Sequence, residues 1–167
     1  FSPKLTSAPF LIEEIKTLAN NKEYLILLKF HPLMDKKWIF EYEQLANGYD
    51  NIVYIKDKDI TQFLIISDLV ISDTSSVVYE FLLLNKPVIT FNSISTQISW
   101  KNLKTYKNLD KEVAETLTKD RYAKFRKNII NEYHPYVDGA SAKRMVDAVA
   151  NYLETKKIPK KRKISTF

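Results

Sequence analysis

A single stretch, Leu69 to Phe91, reads LVISDTSSVVYEFLLLNKPVITF and limits what this chain can fold into. Two segments have the length and apolar character of buried strands: Asp68 to Ser72, which starts one residue before this stretch, and Lys86 to Phe91 at its end. The stretch between them, Ser75 to Asn85, is long enough for a helix. A strand, a helix and a strand with short connections form a right-handed crossover between parallel strands. The stretch therefore predicts an α/β fold built on a parallel sheet.

The same alternation of short apolar runs and helical patterns covers most of the chain. The run EYLILLKF, Glu23 to Phe30, is continuous and should be a strand buried on both faces. Asn51 to Lys56 predicts another strand. The other predicted helices are Pro9 to Asn21, Lys36 to Asn47, Ile60 to Ser67, Leu109 to Leu117, Lys119 to Glu132 and Asp138 to Thr155. The pattern predicts a Rossmann-like parallel sheet with helices on both faces.

The 167 residues are enough for one domain with a proper core, which we expect to span residues 1–155. The last helix carries an apolar stripe made of Ala142, Met145, Val146, Val149, Ala150 and Leu153. At the other end, FSPKLTSAP is typical of the end of a strand that enters a loop. We therefore expect this chain to begin inside a larger protein, with a further domain ahead of it.

The composition excludes several classes of site. The two glycines, Gly48 and Gly139, cannot make a dinucleotide fingerprint or a Walker loop. Cysteine is absent, which fits a cytoplasmic location, and the two histidines are far apart in sequence. We therefore expect neither a metal site nor a bound cofactor. The basic residues are not interleaved with aromatic ones, so nucleic acid is not an expected partner.

The net charge is +6, and much of the excess lies in a basic tail, residues 156–167. The tail carries KKIPKKRK, a run that can attract phosphate or an anionic membrane surface. A plain solvated tail explains the same residues. No apolar run reaches the about 20 residues needed to span a bilayer. Membrane contact, where it occurs, is therefore expected to be peripheral, on the inner face of the cell membrane.

A run of polar residues follows the predicted strand that ends at Ser72. It consists of Ser72, Asp73, Thr74, Ser75 and Ser76, four hydroxyls and a carboxylate at the start of a helix. Backbone N–H groups without partners in the first turn of a helix, together with hydroxyl donors, suit a phosphate. A helix cap is the simpler explanation, but one residue would be enough for a cap.

Two further residues are candidates for the same site. Glu80 lies about one turn into the helix within VVYEFLLL, where it meets a ligand such as a ribose diol or simply faces solvent. His31 follows a predicted strand and precedes Pro32. Its imidazole is suited to donate to a phosphate or to act as an acid or base near neutral pH. A structural hydrogen bond is the alternative. Ligands of parallel sheets bind at the carboxyl ends of strands, where these loops lie.

Taken in order, KFHPL, SDTSSVVYEFLLLNKPVITF and DGASAKRMVDAV resemble the C-terminal half of CDP-glycerol glycerophosphotransferases, the teichoic-acid polymerase group. The shared pattern is a His-Pro loop, an Asp-x-Ser-Ser turn, an acidic residue on the next helix, a Lys-Pro strand and an Asp-Gly loop. FSPKLTSAP is similar to the opening strand and loop of the family. The resemblance covers roughly residues 1–155.

The resemblance implies one half of a GT-B fold, the half that binds the nucleotide-activated donor. It places His31 at the donor phosphates as the catalytic residue. Ser75 and Ser76 would then hold the pyrophosphate, and Glu80 would meet the ribose or nearby groups. The implied reaction transfers glycerol phosphate from CDP-glycerol to a hydroxyl of a growing cell-surface polymer and releases CMP. The acceptor would be bound with the help of the N-terminal domain that this chain lacks.

Two alternatives remain open at this point. UDP-N-acetylglucosamine 2-epimerases share the His-Pro loop and the late HPYVDGASAKR-like segment, but they usually have Gly-Gly where this chain has Ser75 and Ser76. A non-catalytic binding module, docked through its basic tail, is the second alternative.

Overall fold

Seven helices and five short strands make up residues 6–95 and 98–156, the part of the chain that the computed structural model describes. The helices are α1 (Ala8–Ala19), α2 (Lys36–Asn47), α3 (Thr61–Ile66), α4 (Val77–Leu83), α5 (Leu109–Thr118), α6 (Ala123–Tyr133) and α7 (Ser141–Thr155). The strands are β1 (Ile26–Leu28), β2 (Ile52–Tyr54), β3 (Val70–Ser72), β4 (Val88–Phe91) and β5 (Lys101–Leu103). All the predicted helices are present, and α2 has the predicted bounds. The basic tail beyond residue 156 and the expected strand end within residues 1–5 lie outside the described residues.

All of the strand pairs are parallel, which confirms the α/β class. β1 pairs with β2, with Ile26 opposite Ile52. β4 lies between β3 and β5, with Ile71 opposite Ile89. The sheet is divided, however, because no strand of the described residues lies between β1 and β3. The sequence analysis did not predict β5, whose residues Lys101–Leu103 are mostly polar.

The expectation that Glu23 to Phe30 is buried on both faces was wrong. Only Leu28 of β1 is buried, and Leu25, just before the strand, is 64% exposed. Among the described residues, β1 has a neighbouring strand on one side only, which leaves its other edge uncovered.

Two apolar clusters form the core. The larger one joins α1, α2 and α5 to β1, β2 and β4 and contains Ala8, Leu11, Ile15, Leu18, Ala19, Leu28, Tyr42, Leu45, Ile52, Ile89, Phe91, Leu109 and Val113. The smaller one packs α4 and α6 against the start of β4 and contains Val78, Phe81, Leu82, Val88, Trp100 and Ile129. α4 is thereby fixed on its apolar side, which places the turn that precedes it at the carboxyl end of β3.

A buried amide connects α1 to the β1–β2 sheet. The Asn51 Nδ2 group donates to the carbonyl oxygens of Ala19, Asn21 and Tyr24 at 3.0, 3.3 and 3.0 Å. Its Oδ1 accepts from Lys22 Nζ at 3.2 Å. One side chain therefore satisfies the carbonyl groups at the end of α1 and ahead of β1, which fixes the entry into the strand that leads to His31.

Two Asp–Arg pairs with the same sequence spacing lie in different surroundings. Arg126, with a side chain 2% exposed, pairs with Asp120 through both guanidinium nitrogens and also donates to the Asn85 carbonyl at 3.1 Å. Arg144 also forms a bidentate pair with Asp138, but the side chains of Arg144 and Asp138 are 35% and 54% exposed. The first pair joins the start of α6 to the end of α4, and the second stabilises the loop before α7.

The apolar stripe predicted on the last helix is exposed. None of the α7 side chains is buried, and Met145 and Val146 are 71% and 67% exposed. The helix begins at Ser141 rather than Asp138, because the Asp138 carboxylate accepts from the Ala140 N–H and from Arg144 and so holds a turn ahead of the helix. Within the described residues, no helix is long and apolar enough to cross a membrane.

Candidate functional site

The turn after β3 uses its first two side chains to bind neighbouring loops. The Asp73 carboxylate is 7% exposed and accepts from the Ser7 N–H at 3.0 Å. Its burial raises the pKa of this carboxyl above the usual range, although hydrogen bonds from Ser7 and Thr6 oppose the shift. The Thr74 hydroxyl accepts from the Ile94 N–H at 3.3 Å, in the loop after β4. The two residues thus hold three loops together.

The serines of this turn are the groups that remain available for a ligand. Ser75 Oγ accepts from the Val77 N–H at 3.4 Å, which makes it a weak cap of α4. Ser76 is exposed, and its side chain makes no capping hydrogen bond. Ser72, the last residue of β3, is half-buried. The five polar residues therefore divide into two that brace the turn and three serines, of which Ser76 is exposed and Ser72 and Ser75 are half-buried.

His31 lies in an exposed loop after β1. Its Nδ1 accepts from the Leu33 N–H at 3.1 Å, and its carbonyl accepts from the Met34 N–H at 2.9 Å. Because a backbone N–H can only donate, the neutral imidazole carries its proton on Nε2. The ring is thus oriented by its own loop with a donor on Nε2, as contact with a phosphate oxygen requires.

Glu80 lies in the first turn of α4 and is exposed. No hydrogen bond or ion pair joins its carboxylate to another described residue. The sequence analysis left open whether Glu80 meets a ligand or faces solvent, and in the structure it faces solvent. Its role as a ligand contact stays a prediction.

One cleft of the described residues is lined by several of the predicted residues. This cleft, of about 1340 Å³, lies between β1 and β3, and its polar lining includes Ser72, Asp73 and Ser75 from one loop and His31 from another. Thr74, Ser76 and Glu80 do not line it. Groups from two loops, far apart in sequence, thus line one cleft at the carboxyl ends of parallel strands, the place where ligands of such sheets bind.

The sequence analysis predicted the loop that enters α1 but did not name Thr6 and Ser7 as residues of the site. Thr6 and Ser7 are 8% and 4% exposed, and both line the cleft. The Thr6 hydroxyl accepts from the Ala8 N–H at 3.2 Å, and the Tyr42 hydroxyl donates to the Ala8 carbonyl at 2.8 Å. The signal that could have found them is their position, directly before the first helix and after a Pro-containing segment.

Charge around the cleft is mixed, and lysines supply its cations. Lys29, Lys56 and Lys58 line it together with the carboxylates of Glu43 and Asp68. No group of three or more His, Asp or Glu side chains within the described residues could hold a metal ion. The site can therefore bind an anion through hydroxyls, backbone N–H groups, an imidazole and lysines.

Comparison with known proteins gives this arrangement a context. The family model described as CDP-Glycerol:Poly(glycerophosphate) glycerophosphotransferase matches residues 5–151. Two curated relatives come from Bacillus spizizenii (strain ATCC 23059 / NRRL B-14472 / W23). A teichoic acid poly(ribitol-phosphate) polymerase is 36% identical over 70 residues, which is 42% of this chain and 11% of the relative. A teichoic acid glycerol-phosphate primase is 39% identical over 69 residues, 41% of this chain and 17% of the relative.

A solved structure supports the fold. A crystal structure described as a UDP-N-acetylglucosamine 2-epimerase from Listeria monocytogenes superposes with a TM-score of 0.59 over 92% of this chain and 43% of its own, at 19% identity. At that identity the likeness concerns the fold alone, and it confirms the Rossmann-like architecture. The matched segments span less than a fifth of the length of the curated relatives.

Proposed function

This chain belongs to the CDP-glycerol:poly(glycerophosphate) glycerophosphotransferase family, and from that premise we propose that it supplies the donor site of a transferase acting in teichoic-acid synthesis. The observation that carries the proposal is that His31, Ser72 and Ser75, which follow the carboxyl ends of β1 and β3, line the same cleft. The family match and the two teichoic-acid relatives support the reaction class. The chain would be one half of a GT-B enzyme whose other half helps to bind the polymer acceptor.

The proposed donor is CDP-glycerol. The acceptor hydroxyl oxygen attacks the β-phosphorus and forms a new O–P bond, while the bond from this phosphorus to the bridging oxygen breaks. CMP leaves with the bridging oxygen, and the proton of the hydroxyl passes to solvent. Such a reaction depends mainly on positioning and on stabilising charge at the phosphoryl oxygens. His31 Nε2–H would donate to a phosphate oxygen. Ser75 and the backbone N–H groups that follow would hold the pyrophosphate. Ser76 would add a hydroxyl to it, and Glu80 would contact the ribose, from positions beside the cleft rather than in its lining.

The test is a titration of the purified chain with CDP-glycerol, CMP, UDP-N-acetylglucosamine and UDP, followed by calorimetry and by thermal stabilisation. We expect a preference for cytidine nucleotides. The variants Ser75→Ala with Ser76→Ala, and His31→Ala separately, should each weaken binding by about tenfold or more, because hydrogen bonds to charged groups contribute roughly 1.5 to 3 kcal/mol.

The control is Thr17→Ala. Thr17 is exposed on α1, and its hydroxyl donates to the Glu13 carbonyl at 3.0 Å, away from the cleft. This variant should bind as the unchanged chain does. Affinity that is the same in the serine and histidine variants as in the control would contradict the site assignment. A preference for uridine nucleotides would instead support a nucleotide-sugar enzyme, and binding of no nucleotide would contradict a donor site altogether.

Deletion of residues 156–167 addresses the second rival, a binding module docked through the basic tail. The donor-site proposal requires nucleotide affinity to be kept in the shortened chain. Loss of binding to anionic vesicles in the same variant would reveal a separate role of the tail.

A further inference from the structure

A chain of hydrogen bonds connects β4 to β5 through three side chains. Trp100 Nε1 donates to Thr90 Oγ1 at 2.9 Å, and Thr90 Oγ1 donates to Asn102 Oδ1 at 3.0 Å. The Ser93 N–H donates to the same Asn102 oxygen at 3.0 Å. Thr90, Trp100 and Ser93 are all buried. The network therefore lies inside the protein, beside the carboxyl end of β4.

The chemistry of its members fixes the direction of every bond in this network. An indole N–H and a backbone N–H can only donate, so Thr90 and Asn102 must each present an oxygen to them. The hydroxyl hydrogen of Thr90 then points to Asn102, whose Oδ1 accepts two bonds. Asn102 is thus the acceptor at which the chain of bonds ends, and its oxygen joins β4 to the loop that follows β4.

The polar pair needs a reason beyond the sheet itself. Thr90 and Asn102 lie opposite each other in the β4–β5 pairing, and the next pair along is Phe91 with Leu103. Two apolar side chains would fill such a position without partners, whereas buried polar groups must be hydrogen-bonded. What the polar pair adds is the second bond of Asn102, which reaches the loop of residues 92–95.

This loop depends on β5 for its position. The N–H groups of Asn92 and Ser93 both bond to β5, the first to a backbone carbonyl at 2.9 Å and the second to Asn102. The next residue, Ile94, is 68% exposed, so apolar packing does not hold it in place. Its N–H nevertheless donates to Thr74 Oγ1 at 3.3 Å. Bonds from β5 thus fix the backbone that braces the turn before α4.

We propose that Asn102 is a positioning residue for the turn after β3. It acts through Ser93 and Ile94, which hold Thr74, and Thr74 leads directly into Ser75 and the start of α4. The inference rests on the proposed donor site. It extends that site to β5, a strand whose residues do not line the cleft.

The test compares two substitutions of Asn102. Asn102→Leu leaves the Ser93 N–H and the Thr90 hydroxyl without their acceptor, whereas Asn102→Asp keeps an oxygen for both. In calorimetric titration with CMP, Asn102→Leu should bind about fivefold more weakly, because the turn loses one of the bonds that hold it. Hydrogen exchange of the Ile94 amide should be faster by about fivefold or more in the same variant. Asn102→Asp should be closer to the unchanged chain in both measurements.

Trp100→Phe separates positioning from stability. This change removes the indole N–H at the other end of the network and a part of the smaller core cluster, but it keeps the bond between Asn102 and Ser93. Because loss of buried volume is costly, it should lower the urea midpoint at least as much as Asn102→Leu does. Its CMP affinity and its Ile94 exchange should nevertheless stay close to those of the unchanged chain.

The outcomes distinguish this inference from the proposed function. CMP affinity that is unchanged in Asn102→Leu overturns the inference and leaves the donor site standing. Equal losses of affinity in Asn102→Leu and Trp100→Phe also overturn it, since affinity would then follow stability alone. An unchanged chain that binds neither CMP nor CDP-glycerol contradicts the proposed function itself, and the role given to Asn102 falls with it.

Discussion

The two Asp–Arg pairs offer a direct measurement of what burial adds to an ion pair in this fold. Both pairs join an aspartate to an arginine six residues later through two guanidinium nitrogens. They differ in exposure, since the Arg126 side chain is 2% exposed and the Arg144 side chain 35%. We expect Asp120→Asn to be strongly destabilising and Asp138→Asn to have little effect on unfolding, because exposed pairs are screened by water.

The loss of stability expected for Asp120→Asn follows from the burial of its partner, Arg126. Removing one member of a buried pair leaves an uncompensated charge, which typically costs about 3 to 5 kcal/mol. Asp120 is itself 28% exposed, and Arg126 keeps its hydrogen bond to the Asn85 carbonyl. The free energy of unfolding should therefore fall by roughly 2 to 3 kcal/mol. With a urea m-value of about 2 kcal/mol/M, the midpoint should fall by about 1 M.

The pH dependence provides a second check on the same pair. The hydrogen bond from Arg126 holds the pKa of Asp120 below its usual range. A lowered pKa in the folded state stabilises the fold above the unfolded pKa of about 3.9, and that stability is lost as the pH falls through the folded pKa. The difference between Asp120→Asn and the unchanged chain should therefore narrow in acid.

Urea unfolding at pH 7 and at lower pH, on both Asn variants, tests the reasoning. Arg126→Met should cost less than Asp120→Asn, since the apolar side chain fills the same space and the remaining carboxylate reaches solvent. Equal midpoint shifts for Asp120→Asn and Asp138→Asn would refute the argument from burial.

Two further substitutions test polar groups that position the site. Burial raises the pKa of Asp73, so the contribution of this carboxyl to folding stability is fully present below its unfolded pKa and is lost as the pH rises through its folded pKa. Asp73→Asn should not show this loss. In urea unfolding from pH 4 to pH 7, the stability of the variant relative to the unchanged chain should therefore increase with pH. A difference that is constant over this range would contradict the assignment. Asn51→Asp replaces a donor to three carbonyl groups by an acceptor, and it should cost roughly 3 kcal/mol at pH 7 and less in acid, where the carboxyl can donate again. An unchanged unfolding curve at pH 7 would show that the amide is not needed.

Apolar spacing predicted the helices of this fold, but not that the apolar stripe of α7 is exposed. The helix Lys36–Asn47 was predicted from its length and spacing, and it is confirmed with the predicted bounds. β5 was missed because Lys101–Leu103 has no apolar run; its place depends on pairing with β4 and on Trp100 Nε1, which donates to Thr90 at 2.9 Å. Such long-range contacts leave no local pattern.

The sequence predicted which residues lie near the candidate site better than it predicted what each residue does there. The loop positions of His31 and of Ser72 to Ser76 follow from the carboxyl ends of strands. A run of polar residues does not show where each side chain points. Asp73 bonds to Ser7 and Thr74 bonds to Ile94, and both directions depend on loops elsewhere in the chain. Exposure of Glu80 likewise depends on which side of α4 packs against β4 and α6.

The last helix has a consequence for how the chain is degraded. A helix of about 15 residues is marginal in water without packing partners, and none of the α7 side chains is buried. Opening of α7 therefore exposes no core and needs little free energy compared with global unfolding. Proteases that cut after lysine or arginine should reach Lys143 and Arg144 through this local opening, long before the sheets separate. The lifetime of the intact chain and the stability of its folded core are then two separate quantities.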